Sequence, residues 1–158
     1  MQPPMATSKD APGGEAAASA AVARAGALLA DLADQATKLA GLLAEAGRSR
    51  NLAGGLSRRA ELARQLGRKL AVSTDASAND GAAGRAGAPF APNPRALATA
   101  TLVNDAILAL DGIAVDVEYA ADFAGDVALK NQVARARLAV TTAGCAIEDA
   151  LHALARRA

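Results

Sequence analysis

The stretch NPRALATATLVNDAILALDGIAVDVEYAADFAGDV, residues 93–127, decides the fold. Within it Val103, Ala106, Leu110, Ile113, Val117, Ala120, Ala124 and Val127 follow one another at steps of three and four. On an α-helix that spacing puts all eight on one stripe. Asp105, Asp111, Asp116, Glu118, Asp122 and Asp126 occupy the remaining surface, and no Lys or Arg stands between Arg95 and Lys130. The pattern predicts one long acidic helix whose apolar stripe must lie on partner helices. Asn93-Pro94 predicts its start, because Asn caps a helix N-terminus and Pro fits the first helical position, where its missing N–H is not needed.

Downstream, the next regular series is Val133, Ala136, Val140, Ala143, Ile147, Ala150 and Leu154. It does not share the register of the first. A break near residues 128–131 is therefore expected, with Gly125 or Asn131 supplying the turning residue. The competing possibility is one continuous helix of about 60 residues, roughly 90 Å long. Arg156 and Arg157 suit the C-terminal end of a helix dipole.

Upstream, residues 73–93 are rich in Ser, Asp, Asn, Gly, Ala and Pro and read as a flexible linker. Before it, Leu56, Ala60, Ala63, Leu66 and Leu70 mark a shorter helix, with Arg58, Arg59, Arg64, Arg68 and Lys69 on its other faces. This helix is as basic as the long one is acidic, and the two are expected side by side. The paired Gly54-Gly55 weakens the prediction of helix before Leu56. A first helix opens at Glu15 with a seam of Val22, Ala25, Leu29, Leu32, Ala36, Leu39, Leu43 and Ala46, widened by Leu28 and Leu42. Gly47 is the expected C-terminal stop. Residues 1–14, with Pro3, Pro4, Pro12, Gly13 and Gly14, read as a disordered tail. The expected fold is all-α: an antiparallel four-helix bundle of two helical hairpins, about 15–71 and 94–157, with coiled-coil-like seams, residues 15–158 forming one domain.

Composition narrows the functional classes. The 158 residues are 52% hydrophobic, but alanine supplies most of this, and Phe90, Tyr119 and Phe123 are the only aromatics. Such a core brings helices close while burying little area per residue. A net charge of +1 lacks the global field of a dedicated nucleic-acid binder. The single Cys145 excludes an intrachain disulfide. The first ten residues have neither a basic nor an apolar signal region, and charges are expected to interrupt every membrane-length apolar window. A cytoplasmic protein is the expectation. Arginine far outnumbers lysine, as in GC-rich bacterial genomes. In composition alone the alanine-rich, aromatic-poor amphipathic helices resemble phasins, and the run from Asn131 to Gly144 resembles the small structural proteins of bacterial R-bodies. Neither resemblance assigns a role to any residue.

The one chemically suggestive cluster is Cys145, Glu148, Asp149 and His152. Its carboxylate-x-x-His unit echoes half of a di-iron bundle site, but those sites need two such units, and the chain has a single histidine. Cys145 and His152 are two turns apart, about 10 Å, beyond the reach of a nucleophile–base pair. The plain reading is a small buried thiol beside a charged helix edge. The row Asp116, Asp122 and Asp126 reads as a solvated face in preference to a weak cation site. No catalytic set, cofactor or metal is expected. Leu108, Val115, Tyr119 and Phe123 fall opposite the long helix's seam, among its carboxylates. Either a wide core covers them, or they form a second contact surface with Tyr119 and Phe123 as anchors. The leading expectation is a non-enzymatic assembly, adaptor or scaffold subunit, self-associating or bound to another helical protein. The alternative is anion or nucleic-acid binding through Arg58, Arg59, Arg64, Arg68 and Lys69.

Overall fold

A computed structural model describes residues 5–47, 49–80 and 94–157, with the backbone alone for residues 5–15, 74–80, 95–96 and 157. The described residues form an all-α bundle of four helices: α1 Met5–Glu45, α2 Arg50–Asp80, α3 Pro94–Asp122 and α4 Val127–Arg157. Each helix packs on its neighbours in chain order, α4 closes the ring on α1, and α1 also reaches α3 across the diagonal. Arg64 meets Asp34, Arg59 meets Asp116, Arg137 meets Glu118 and Gln132 meets Gln35. Contacts between consecutive helices run in opposite senses, Gly26 to Gly67 and Asp34 to Arg64, Arg59 to Asp116 and Ser73 to Thr99, Leu110 to Gly144 and Glu118 to Arg137, so each helix is antiparallel to the one before it.

The core follows the predicted seams, except that Ala46 is exposed and Ala124, Val140 and Leu154 are only partly buried. On α1, Val22, Ala25, Leu29, Leu32, Ala36, Leu39 and Leu43 are buried, and Leu28 and Leu42 pack on the flank. Fully burying each leucine contributes roughly 1.5–3 kcal/mol. Leu56, Ala60, Ala63, Leu66 and Leu70 of α2 join them, as do Val103, Ala106, Leu110, Ile113, Val117 and Ala120 of α3 and Val133, Ala136, Ala143, Ile147 and Ala150 of α4. Small residues on facing helices let backbones approach. At the α1–α2 crossing a Cβ on Gly26 would lie 2.8 Å from the Gly67 carbonyl oxygen, and one on Gly67 would lie 2.7 Å from that of Gly26. No L side chain fits there without parting the helices.

Three helix boundaries differ from expectation. The α1 backbone starts at Met5 and not at Glu15, and α2 runs to Asp80 instead of ending near residue 71, so both take in residues assigned to tail or linker. Adding residues to an established helix avoids the nucleation cost that a free segment would meet. Residues 1–4 and 81–93, the remainder of the predicted tail and linker, lie outside the described residues. The third difference is the α3–α4 turn. α3 ends at Asp122, where Phe123 N–H donates to Ala120 O (3.0 Å) and Gly125 N–H to Phe123 O (2.9 Å). Asp126 then caps α4, its carboxylate accepting from Leu129 N–H at 2.8 Å. Asp126 and Val127 thus belong to the start of α4, and Val127 is exposed where the seam placed it inside. Neither Gly125 nor Asn131 has positive φ. Gly47, at +65°, is the only described residue that does, and it ends α1 as its sequence position predicts.

Two helix starts fit their residues. Ser49 Oγ accepts from Leu52 N–H at 3.2 Å and starts α2, which passes through Gly54 and Gly55 without interruption. α3 begins at Pro94, the predicted first helical position; Asn93 lies outside the described residues. By length and apolar composition Ala16–Glu45 and Leu97–Asp122 would suffice to cross a membrane, contrary to the expectation that charges interrupt every window. Alanine explains the difference: residues 16–33 hold only two charges, Arg24 and Asp31, yet few large apolar side chains. In the bundle the apolar stripes of both segments face other helices.

Candidate functional site: the outward face of α3

Three buried polar side chains orient the helices. Gln132 of α4 donates to the backbone and side-chain oxygens of Gln35, both at 3.0 Å. The hydroxyls of Thr99 and Ser73 meet at 2.6 Å between α3 and α2. Asp116 of α3, 6% exposed, takes a hydrogen bond from Arg59 of α2. A buried carboxylate without a partner would be costly, so this pairing holds α3 to α2 in one register. Arg59 passes close over Gly112 on its way, since a Cβ there would sit 2.8 Å from Arg59 Nε and 3.0 Å from its Cδ. Asp116 is therefore not part of the solvated acidic row that the spacing predicted. With Asp126 capping α4, the row of Asp116, Asp122 and Asp126 does not exist as one surface.

The remaining carboxylates of α3 face water. Glu118 accepts two hydrogen bonds from Arg137 of α4, each 2.8 Å, in a fork-to-fork pair. The Arg137 guanidinium holds the Glu118 carboxyl below the ordinary carboxylate range. Between these acids Leu108, Val115, Tyr119 and Phe123 are 70, 54, 58 and 39% exposed. The bundle core does not cover them. Val115 and Tyr119 line a shallow open depression with Ala114, Glu118 and Asp122.

The same surface holds residues the spacing did not single out. Leu97 of α3 and Leu62 and Val72 of α2 are also exposed. Leu97 precedes Leu108 by eleven residues and Leu108 precedes Val115 by seven, a second stripe that the stronger core periodicity conceals. Of the nine large apolar side chains exposed among the described residues, seven belong to α2, α3 or the turn after α3; Val127 and Leu138 are the others.

The basic residues of α2 are divided between two tasks. Arg59 serves Asp116. Arg64 reaches Glu61 at 2.7 Å, Asp34 at 3.1 Å and the Thr37 hydroxyl at 3.2 Å, and its hydrogen bond to Asp34, followed by that to Glu61, raises its pKa above the arginine norm. Arg58, Arg68 and Lys69 are exposed and take part in no ion pair among the described residues. The expected adjacency of basic α2 and acidic α3 is present, and Arg59–Asp116 is its contact.

Cys145 and His152 are both exposed on α4. The thiol is thus outside the core, against the reading of a buried cysteine: it lies midway between the core positions Ala143 and Ile147, where the helix turns it outward. Among the described residues no group of three or more His, Cys, Asp or Glu side chains is placed to hold a metal ion. Compared with known proteins, the chain matches no family model, no curated protein and no solved structure.

Proposed function

We propose that this protein is a non-enzymatic assembly, adaptor or scaffold subunit of the cytoplasm. It acts by laying the outward face of α3, with Leu108, Val115, Tyr119 and Phe123, against another helix. The observation that carries the reading is the uneven distribution of exposed apolar side chains. Five of the nine stand on α3 or the turn after it, two each on α2 and α4, while α1, the largest contributor to the core, exposes none among its described residues. Single exposed apolar residues are ordinary on a soluble surface, whereas an aligned series rimmed by charge marks a contact surface. Aromatic anchors such as Tyr119 carry a large share of binding energy at such surfaces.

Site-specific photocrosslinking in cells tests this directly. A photoreactive residue at position 119 should capture protein, and the same residue at position 152 on α4 should not. Equal capture at both, or none at 119, would overturn the proposal.

Arg58, Arg68 and Lys69, exposed and in no ion pair among the described residues, support a second reading, binding of an anion or nucleic acid by α2. Two of the five cations are already committed to the chain's own carboxylates, which leaves a small footprint for phosphates. Salt-dependent retention of DNA, RNA or anionic vesicles would favour it.

A further inference from the structure

We infer that the surface formed jointly by α2 and α3 binds a second copy of this chain, with the two copies related by a two-fold axis parallel to the helices. The inference rests on the reading of α3 as an interaction surface and names its occupant.

The residues available are set by the contacts just described. On α2, Arg64 faces α1 and Arg59 faces α3. Arg58, Leu62, Gln65, Lys69 and Val72 succeed one another by four, three, four and three, so they form one stripe beside Arg59 and turned away from Arg64. All five are exposed. On α3, Gly112 and Asp116 face α2 and Glu118 faces α4. Leu108, Val115 and Tyr119 therefore lie on the outer side, with the exposed Asp105 on the flank toward α2. The surface thus holds a basic strip with Leu62 and Val72 beside an acidic strip with Leu108, Val115 and Tyr119.

Charge selects the symmetry. A two-fold axis at right angles to the helices would lay α2 on α2 and α3 on α3, setting like charges together. An axis parallel to the helices lays the basic strip of each copy on the acidic strip of the other, and the surface becomes self-complementary. This rotation leaves every residue at its own level along the bundle. Arg59 opposite Asp116 and Ser73 opposite Thr99 define those levels within the chain. They bring Lys69 level with Asp105 and Leu62 level with Gly112. In the dimer Lys69 of each copy then meets Asp105 of the other, and Leu62 enters between Leu108 and Val115.

The magnitudes agree with a reversible dimer. From residue 51 to 72 the strip is about 32 Å long, and two helices are about 20 Å wide, giving roughly 640 Å² per copy. That is somewhat below the ~800 Å² per partner of standard stable complexes and near the lower end of specific interfaces. The net charge of +1 offers no long-range repulsion between copies.

Sedimentation of the full chain and of two charge reversals tests the arrangement. Lys69→Glu alone and Asp105→Lys alone each turn two attractions into repulsions and should weaken self-association by about tenfold or more. Mixed together they should form a heterodimer about as strong as the original homodimer, because each then presents the charge the other requires. Circular dichroism checks that both exposed substitutions keep the helical fold. A wild-type chain that stays monomeric at about 100 μM overturns the inference, while capture of other proteins at position 119 would still uphold the broader reading. A dimer that survives both reversals, or one that mixing fails to restore, overturns the parallel-axis arrangement.

Discussion

The α1–α2 and α2–α3 contacts join neighbouring antiparallel helices by opposite means. Between α1 and α2 the backbones themselves touch, glycine carbonyl against glycine, at Gly26 and Gly67. Between α2 and α3 a side chain meets the glycine instead, an arginine lying over Gly112 to reach a buried carboxylate. Glycine serves both, admitting a main chain in the first case and a side chain in the second. The first contact gains density and tolerates no added atom. The second specifies which helix lies where and leaves apolar side chains outside. Tightness and specificity reside in different faces of the same helix, α2.

The largest expected effect breaks the first contact. Gly67→Val should destabilise the protein by about 3 kcal/mol, because the new side chain must displace a carbonyl oxygen and not a flexible group. Gly67→Ala should still lose about 1–2 kcal/mol, although glycine-to-alanine in an open helix gains about 0.5–1. Gly41, with nothing near its Cβ position, is the matched control, and Gly41→Ala should show that gain. Urea unfolding of the three variants measures it; stabilisation by Gly67→Ala would show that α1 and α2 do not approach as described.

The second contact should respond less, and asymmetrically. Arg59→Ala strands a buried carboxylate and should cost about 2 kcal/mol. Asp116→Ala leaves a guanidinium whose side chain is already 48% exposed, so water compensates it and the loss should be about 1 kcal/mol. Equal losses would mean that burial of Asp116 is not what makes the pair matter. A smaller and sharper test is Gly112→Ala. In the wild-type chain it should displace Arg59 and yield little or no gain, whereas in the Arg59→Ala background it should stabilise by about 0.5–1 kcal/mol.

The smallest effect belongs to the exposed pair Glu118–Arg137. The folded-state pKa of Glu118 is lowered, so its contribution to stability is present above the unfolded value and is lost as pH falls through the folded one. Arg137→Ala should raise the Glu118 carboxyl back toward the ordinary range in an NMR titration, with little change in the melting temperature.

These differences also explain what could be read in advance. The seams of all four helices were legible because burial follows helical period, and Gly47 because a helix followed by glycine commonly stops there. Asp116 was not. It sits beside Val117 at the edge of the stripe, and nothing in spacing distinguishes a carboxylate aimed at a neighbouring arginine from one in water. Gly26 and Gly67 were equally hidden, since their meeting depends on the register between two helices and not on either helix alone. Asp126 was misassigned because Val127 happens to continue the α3 spacing, though an Asp directly ahead of an apolar run is itself an N-cap signal. The exposed state of Leu108, Val115 and Tyr119 needed the structure, because periodicity alone does not give the width of the core.

Tyr119 is the chain's one tyrosine, and there is no tryptophan. Because its ring stands outside the bundle, emission excited beyond the phenylalanine absorption band comes from that single place. Whatever settles on the ring will shield it from a dissolved quencher such as iodide, while events elsewhere in the molecule stay dark.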